Sequence, residues 1–229
     1  MRKRLLVLAS LFGLLVSPSS WAQATVYSFT GPIYSSFTNF TSPCATGPCA
    51  NFSPGSRLTG QFTTAVPLAS NLSDVVINPQ VTSFSFTDGV NTYSSANPNV
   101  RPNTFRVSTD AGGNITLSGS DFILITLWQT GSSPHAVGDR GAWARILPSS
   151  VDAFNNYSCA TVGTSVGGVS DSCLAATVDP STSQALNDAV TGTWSRQSIG
   201  PIPTVSVWAL VLLSLGLAGL AAIRWRKAS

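Results

Sequence analysis

The chain has 229 residues and a formal net charge of +3, but half of its twelve Lys and Arg residues lie at its two ends. Residues 25–201 contain six arginines, nine aspartates, no lysine and no glutamate, which leaves this segment near −3. Such a segment lacks a basic patch that could neutralise phosphates, and this argues against nucleic-acid binding. Its length of about 177 residues is that of one domain.

Residues 1–24 have the layout of a secretory signal peptide. Three basic residues at positions 2–4 precede an apolar run at residues 5–16. Polar residues 17–20 follow, and then Ala22-Gln23-Ala24, with small residues at the −3 and −1 positions. An uncleaved anchor is disfavoured, because a membrane-spanning helix needs about 20 apolar residues. We expect the secretion machinery to export the chain and signal peptidase to recognise Ala22 and Ala24, cutting after Ala24.

The middle segment, residues 25–198, predicts a β-domain. Val81–Thr87 alternates phenylalanines with serines, and Asp88-Gly89 favours a tight turn into a second strand at residues 90–94. A second hairpin is predicted to join residues 104–108 and 114–118. Further strands are predicted at 25–30, Arg57–Thr64, Phe122–Trp128, 143–147 and 192–196.

Composition supports the same fold class. The segment is rich in Ser, Thr, Asn and Gly and poor in charge, which disfavours helices and suits short strands joined by turns. One short helix is predicted, at residues 181–189. The expected fold is all-β, a single β-sandwich or jelly-roll-like domain.

Four cysteines remain after removal of the signal: Cys44, Cys49, Cys159 and Cys173. An even number in an exported chain predicts two disulfides. Among the three possible connectivities, we favour the local pairs Cys44–Cys49 and Cys159–Cys173. A zinc site made by all four thiolates is the alternative, but the spacings do not match paired C-x2-C ligands.

No combination of residues in this segment matches a known catalytic motif. His135 is the only histidine, and it lies in a polar loop where we expect it to be exposed. No G-x-S-x-G elbow is present to hold a nucleophilic serine. The nine aspartates are scattered beside Gly, Ser or Asn, as turn aspartates are. We therefore predict no enzyme activity, no metal site and no cofactor.

The C-terminal end predicts a membrane anchor. Residues 205–223 contain no charge and would span about 28 Å as a helix, close to the thickness of a hydrocarbon core. Trp208 and Trp225 lie near the two ends as interfacial aromatics. The basic tail at residues 224–229 predicts that this end stays in the cytoplasm. A buried core helix is disfavoured, because it would hardly be apolar on every face.

The residues just before this span resemble a known signal. Ile202-Pro203-Thr204-Val205-Ser206-Val207-Trp208, followed by an apolar helix and a basic end, resembles the IPTL-CTERM sorting signal. This signal is a relative of the PEP-CTERM signals handled by exosortase-type membrane proteases in Gram-negative bacteria. Val205 replaces the usual leucine, and Val207 occupies a position that is often acidic.

The resemblance implies specific roles. The recognition motif would comprise Ile202, Pro203, Thr204, Val205, Ser206 and Trp208, and the segment 199–229 would be a transient anchor cut by the sorting protease. The class is often associated with extracellular polysaccharide. A cell-surface or secreted protein with a structural or adhesive role is therefore expected.

Two other functions stay open. In a carbohydrate-binding module, Trp128, Trp143 or Trp194 would be exposed and stack on sugar rings. In a secreted hydrolase, which we favour less, a cleft would gather aspartates or His135.

Overall fold

A computed structural model describes residues 24–190 and 192–199. The contacts of the chain gather Ala24–Ile199 into one compact unit. The predicted signal peptide, apart from Ala24, and the predicted sorting segment, apart from Ile199, lie outside the described residues. Within the part of the chain that is described, no helix is long and apolar enough to cross a membrane.

Among the described residues, the regular structure of this unit consists of β-strands and one 3-10 turn at Asn78–Gln80. The alternation of apolar and polar residues produces strands with one buried and one solvent-facing side. In chain order the strands are β1 Thr25–Ile33, β2 Ser36–Thr38, β3 Arg57–Thr64, β4 Val75–Val76, β5 Val81–Thr87, β6 Thr92–Ser94, β7 Val100–Val107, β8 Phe122–Trp128, β9 Arg140–Ile146, β10 Val151–Gly163, β11 Ser172–Thr177, β12 Ser183–Asn187 and β13 Thr193–Ser198.

The strands form two antiparallel sheets. The five-stranded sheet has the order β13-β1-β3-β5-β6, and the eight-stranded sheet has the order β2-β12-β10-β9-β8-β7-β4, with β11 paired to β10. This confirms the all-β prediction and is consistent with a β-sandwich.

Aromatic rings join the two sheets. Phe105 on β7 is fully buried, and its ring centroid lies 5.3 Å from that of Phe62, 5.8 Å from Phe84 and 6.4 Å from Phe86. The three partners lie on β3 and β5 of the other sheet. Ring pairs at these distances contribute about 0.5–1.5 kcal/mol each beyond the burial of their area. The core is therefore centred between β7 and the β3–β5 pair.

Both predicted disulfides are confirmed. Cys44 is bonded to Cys49, and Cys159 on β10 to Cys173 on β11, with Cα–Cα distances of 5.9 and 5.7 Å. The second bridge is buried with Trp128 in a small cluster separate from the main core. It links β11 covalently to β10, the strand with which β11 pairs.

The helix predicted at residues 181–189 is wrong. This segment contains strand β12, which pairs with β10 and with β2. Ser183, Ala185 and Asn187 are buried in alternation, which is the strand period. Pairing on both sides satisfies the backbone of β12 and overrides its weak local preference.

The strand predicted at residues 114–118 is also wrong, apart from a single bridge between Ile115 and Thr109. The Asp110 carboxylate accepts the backbone N–H groups of Gly112 and Asn114 at 2.8 and 2.9 Å. These bonds fold the segment into a tight turn, as aspartate does in loops. Leu117 has a φ of +27°, which interrupts an extended backbone.

Candidate functional site

The outer face of the five-stranded sheet carries a row of threonines. The strand register places Thr30 of β1 opposite Thr59 of β3, Thr59 opposite Thr87 of β5, and Thr87 opposite Thr92 of β6. On the other side, Thr193 of β13 lies opposite Thr30. Because directly paired residues point to the same face, this threonine row crosses all five strands.

A second row lies two residues along the strands. Ser28, Gln61, Ser85 and Ser94 are opposite one another in the same register, and Ser195 extends this mixed row onto β13. The intervening residues of these strands, which face the other sheet, include buried aromatic side chains. Both rows therefore point away from the core.

The central part of the two rows forms a groove of about 430 Å³. Its lining consists of Ser28, Phe29, Thr59, Gly60, Gln61, Ser85, Phe86, Thr87 and Thr92. Beneath it, a Cβ at Gly60 would lie 2.5 Å from the Cα and ring atoms of Phe86. Glycine at this position lets the Phe86 ring pack directly against β3 under the groove.

Most polar side chains of the groove have no hydrogen-bond partner among the described residues. The Thr87 hydroxyl accepts the N–H of Gly89 at 3.3 Å. Within residues 24–190 and 192–199, no hydrogen bond is made by the side chains of Ser28, Thr30, Thr59, Gln61, Ser85 and Thr92. The lining has no ionisable side chain, so the groove can exchange neutral hydrogen bonds but offers no acid, base or metal ligand.

His135 is buried, so its predicted exposure is wrong. Its side chain is 1 % exposed, and its ring stacks on Trp128 with centroids 4.3 Å apart and planes 4° apart. Nδ1 of His135 lies 2.9 Å from the Asp171 carboxylate, and the His135 backbone N–H donates to the same carboxylate at 2.7 Å. Asp171 lies 36 residues further along the chain, and no local sequence pattern predicts this pairing.

The Asp171 carboxylate is the centre of this cluster. Arg101 donates to it at 2.7 Å, and Asp171 has a φ of +55°, which an aspartate tolerates better than most residues. Burial opposes ionisation of Asp171, but hydrogen bonds from His135 and Arg101 outweigh burial and hold the pKa of the carboxyl below its usual range. These contacts tie two loops together, and the His135 ring is covered by Trp128 rather than open to a cleft.

The three tryptophans considered for sugar stacking lie in three different environments. Trp128 is 2 % exposed and is covered by His135. Trp194 is half-buried against Phe29, with centroids 4.9 Å apart. Trp143 is half-buried and donates its indole N–H to Asp152 at 3.1 Å. The three side chains therefore do not form a common exposed platform.

Besides Asp171, Asp88 and Asp152 also depart from the turn interpretation. Asp88 does follow a strand, and it accepts the backbone N–H of Val90 at 2.7 Å, but it is fully buried and also accepts the Tyr93 hydroxyl at 2.7 Å. Asp152 lies within strand β10 and pairs with Arg145 at 2.6 Å. Among the described residues, no group of three His, Cys, Asp or Glu side chains could hold a metal ion.

Residues 201–227 match the family described as the IPTL-CTERM motif. The chain carries an IPTL-CTERM sorting signal. This confirms the resemblance seen in the sequence, and the signal indicates export, association with the cell surface and processing by a sorting protease. No curated protein and no solved structure matches the chain.

The IPTL-CTERM match includes all six predicted motif residues, whose individual roles stay predictions because they lie outside the described residues. The same holds for Ala22 of the predicted signal cleavage site. Ala24 is described, and its carbonyl oxygen accepts the backbone N–H of Ile199 at 2.8 Å.

Proposed function

We propose that the chain is an exported protein of the cell surface or extracellular matrix, whose β-domain has a structural or adhesive role and no catalytic one. The observation that carries this proposal is the IPTL-CTERM signal at residues 201–227. It follows β13, the last strand of the domain, almost directly. The two disulfides agree with an oxidising compartment outside the cytoplasm.

The chemistry of the domain supports a non-catalytic role. The groove on the five-stranded sheet is lined by hydroxyl, amide and apolar groups and has no carboxylate or imidazole. The His135–Asp171 pair is held by Arg101 and Trp128 in structural contacts. Neither place combines a nucleophile, a base and room for a substrate, as hydrolysis requires.

The C-terminal segment has two proposed tasks. Residues 205–223 would first hold the domain outside the membrane, with the basic tail 224–229 resisting translocation. A sorting protease of the exosortase type would then cut near the motif at residues 202–208 and release the anchor.

Surface location is tested by adding protease to intact cells. We expect the β-domain to be digested or shed without lysis, and protection of the domain until lysis would contradict export.

Sorting is tested by the C-terminal mass of surface-recovered protein in strains with and without the sorting protease. We expect the tail to be absent only when the protease is present. A tail that extends to Ser229 in both strains would contradict the sorting role.

The anchoring step has its own variants. Leu213→Arg combined with Leu217→Arg should release the uncut precursor from membranes, because each arginine at the centre of a span costs about 2.5–3.5 kcal/mol. The matched control, Leu213→Ile combined with Leu217→Ile, keeps the segment apolar and should keep the precursor bound. Equal membrane retention of both variants would contradict the anchor.

A further inference from the structure

The groove on the five-stranded sheet has polar groups that the fold itself does not use. We propose that this groove binds a neutral polysaccharide, with the threonine row and the mixed row supplying the hydrogen bonds. The inference rests on the proposed function, since it requires the domain to lie outside the cell, among extracellular polymers. It assigns the site to hydroxyl and amide groups rather than to the tryptophans.

The first argument is the free hydrogen-bonding capacity of the rows. Buried hydroxyls of the domain are bonded internally: Thr64 donates to the carbonyl of Val66 at 2.6 Å, and Thr109 to that of Ala69 at 2.7 Å. In the groove, the four hydroxyls of Ser28, Thr59, Ser85 and Thr92 and the amide of Gln61 have no internal partner within the described residues. Water satisfies such groups in the free protein, and a ligand must replace it with equivalent donors and acceptors.

The second argument is the spacing of the groups. Neighbouring strands lie about 4.8 Å apart, and side chains two positions apart on one strand lie about 6.5–7 Å apart. The two rows therefore present hydroxyls, and the amide of Gln61 on β3, at a regular repeat across β1, β3, β5 and β6. A chain of sugar rings also carries hydroxyls at a regular repeat along its length. A polymer lying across the strands can meet several of these groups at once.

The third argument is charge. No lining residue of the groove is ionisable, so the groove has nothing to pair with the carboxylates or sulfates of an acidic polymer. Desolvating such charges without a partner is costly. A neutral polymer has no such cost. The lining chemistry therefore selects neutral over acidic polysaccharides.

The fourth argument separates a polysaccharide from a peptide. Peptides that add to a sheet bind along an edge, where backbone N–H and C=O groups are free. The groove lies on the face of β1, β3 and β5, whose backbones are already paired to their neighbours. Recognition there depends on side-chain hydroxyls, which a hydroxyl-rich polymer matches better than a peptide does.

The test uses the oxidised full chain, purified in lauryldimethylamine oxide, a detergent without a sugar headgroup. Its mobility is measured by native electrophoresis in gels that contain one neutral polymer each: dextran, a β-1,3-glucan, hydroxyethyl cellulose or galactomannan. A gel with alginate is the acidic comparison. We expect retardation by at least one neutral polymer and none by alginate.

Variants connect retardation to the groove. Thr59→Val combined with Thr92→Val removes two hydroxyls with little change in shape, and we expect affinity for the retarding polymer to fall about tenfold. The control, Thr161→Val, removes an exposed hydroxyl from β10 of the other sheet and should leave affinity unchanged. Unfolding midpoints of both variants, compared with that of the wild-type chain, verify that they fold.

Three results would overturn the inference: no retardation by any neutral polymer, retardation by alginate alone, or equal affinity of the Thr59/Thr92 variant and the wild-type chain. If the double variant does not fold, Gln61→Ala takes its place, with the same expected loss and the same contrary result. The assay is done in solution, so its failure leaves the surface location intact. Conversely, failure of the surface tests does not alter the binding result.

Discussion

Ile199 donates its backbone N–H to the carbonyl oxygen of Ala24 at 2.8 Å. This bond continues the ladder between β13 and β1, in which Ser198 lies opposite Thr25. The first and last strands of the domain are thus neighbours. Since β1 also pairs with β3 along its other side, it becomes a fully paired inner strand only after β13 has docked.

This relationship leads us to expect that folding makes the predicted signal cleavage site after Ala24 inaccessible. The peptide bond that would be cut lies between Ala24 and Thr25. The carbonyl oxygen of Ala24 is hydrogen-bonded to Ile199, and Thr25 is fully buried. Proteases commonly bind their substrates as extended strands, and a paired strand is not available for this. We expect the folded, oxidised precursor to resist purified signal peptidase, while the urea-unfolded precursor diluted into the assay is cut after Ala24.

A spacer provides the control for this prediction. Six Gly and Ser residues inserted between Ala24 and Thr25 move the cleavage site away from the sheet. We expect the folded spacer variant to be cut as fast as the unfolded chain. Mass spectrometry of the products measures the rate of cleavage after Ala24. Rapid cleavage of the folded wild-type precursor would show that pairing of β1 does not protect this site from the peptidase.

The two disulfides are predicted to differ in their effect on stability. The Cys159–Cys173 bridge closes a loop with a sequence separation of 14, and the Cys44–Cys49 bridge one with a separation of 5. The chain-entropy relation gives about 3 kcal/mol for the longer loop and about 2 kcal/mol for the shorter one. Cys159 and Cys173 are also buried against Trp128, which adds lost packing to their removal.

We therefore expect Cys159→Ala combined with Cys173→Ala to lower the free energy of unfolding more than Cys44→Ala combined with Cys49→Ala. Urea unfolding of the two oxidised double variants measures both losses. The reverse order would show that the buried bridge is strained or that its hairpin stays ordered without it.

Sequence reasoning succeeded where the information is local. The sequence around Asp88 has two segments of alternating apolar and polar residues joined by a turn dipeptide, and the structure contains strands β5 and β6 there.

Strand β10 was not predicted from the sequence, although it is the longest strand described. Its burial pattern runs through consecutive buried residues, because Asn156 has a φ of +61° and the register with β9 shifts between Phe154 and Tyr157. A bulge of this kind reverses the alternation that sequence analysis relies on.

The candidate site could be predicted only in part. Each strand that contributes to the threonine row has small polar residues or Gln at alternate positions, but only the register places Thr30, Thr59, Thr87 and Thr92 in one line. Register depends on pairing partners and turns rather than on any one strand. In the same way, the burial of His135 depends on distant residues that its own loop does not reveal.

Asp171 predicts one pH dependence of stability. Burial raises its pKa, but the hydrogen bonds from His135 and Arg101 dominate, so the folded-state pKa lies below the unfolded value of about 3.9. The carboxylate thus contributes stability that is present above pH 4 and is lost as the pH falls below it. We expect Asp171→Asn to destabilise the domain at pH 6 and to do so progressively less from pH 4 downward. A difference that stays constant across this range in urea unfolding would contradict the ionic role.

Asp88 predicts the opposite dependence. Burial is the largest influence on its carboxyl and raises its pKa, although hydrogen bonds from Asn91, Tyr93 and Val90 act in the other direction. With a folded-state pKa above the unfolded value, the unfolded chain loses its proton first as the pH rises. Asp88 therefore favours folding at low pH and loses this contribution as the pH rises above about 4.

The variant Asp88→Asn tests this opposite sign. Asparagine keeps a carbonyl oxygen that can accept the N–H groups of Val90 and Asn91, while its amide can donate to the Tyr93 hydroxyl. Because the variant cannot ionise, we expect it to cost more stability at pH 3.5 than at pH 7, the reverse of Asp171→Asn. Urea unfolding of both variants on one pH series makes the comparison direct. If the cost of Asp88→Asn grows with pH, the buried carboxylate is stabilised in its charged form by its three neighbours, and burial does not dominate its pKa.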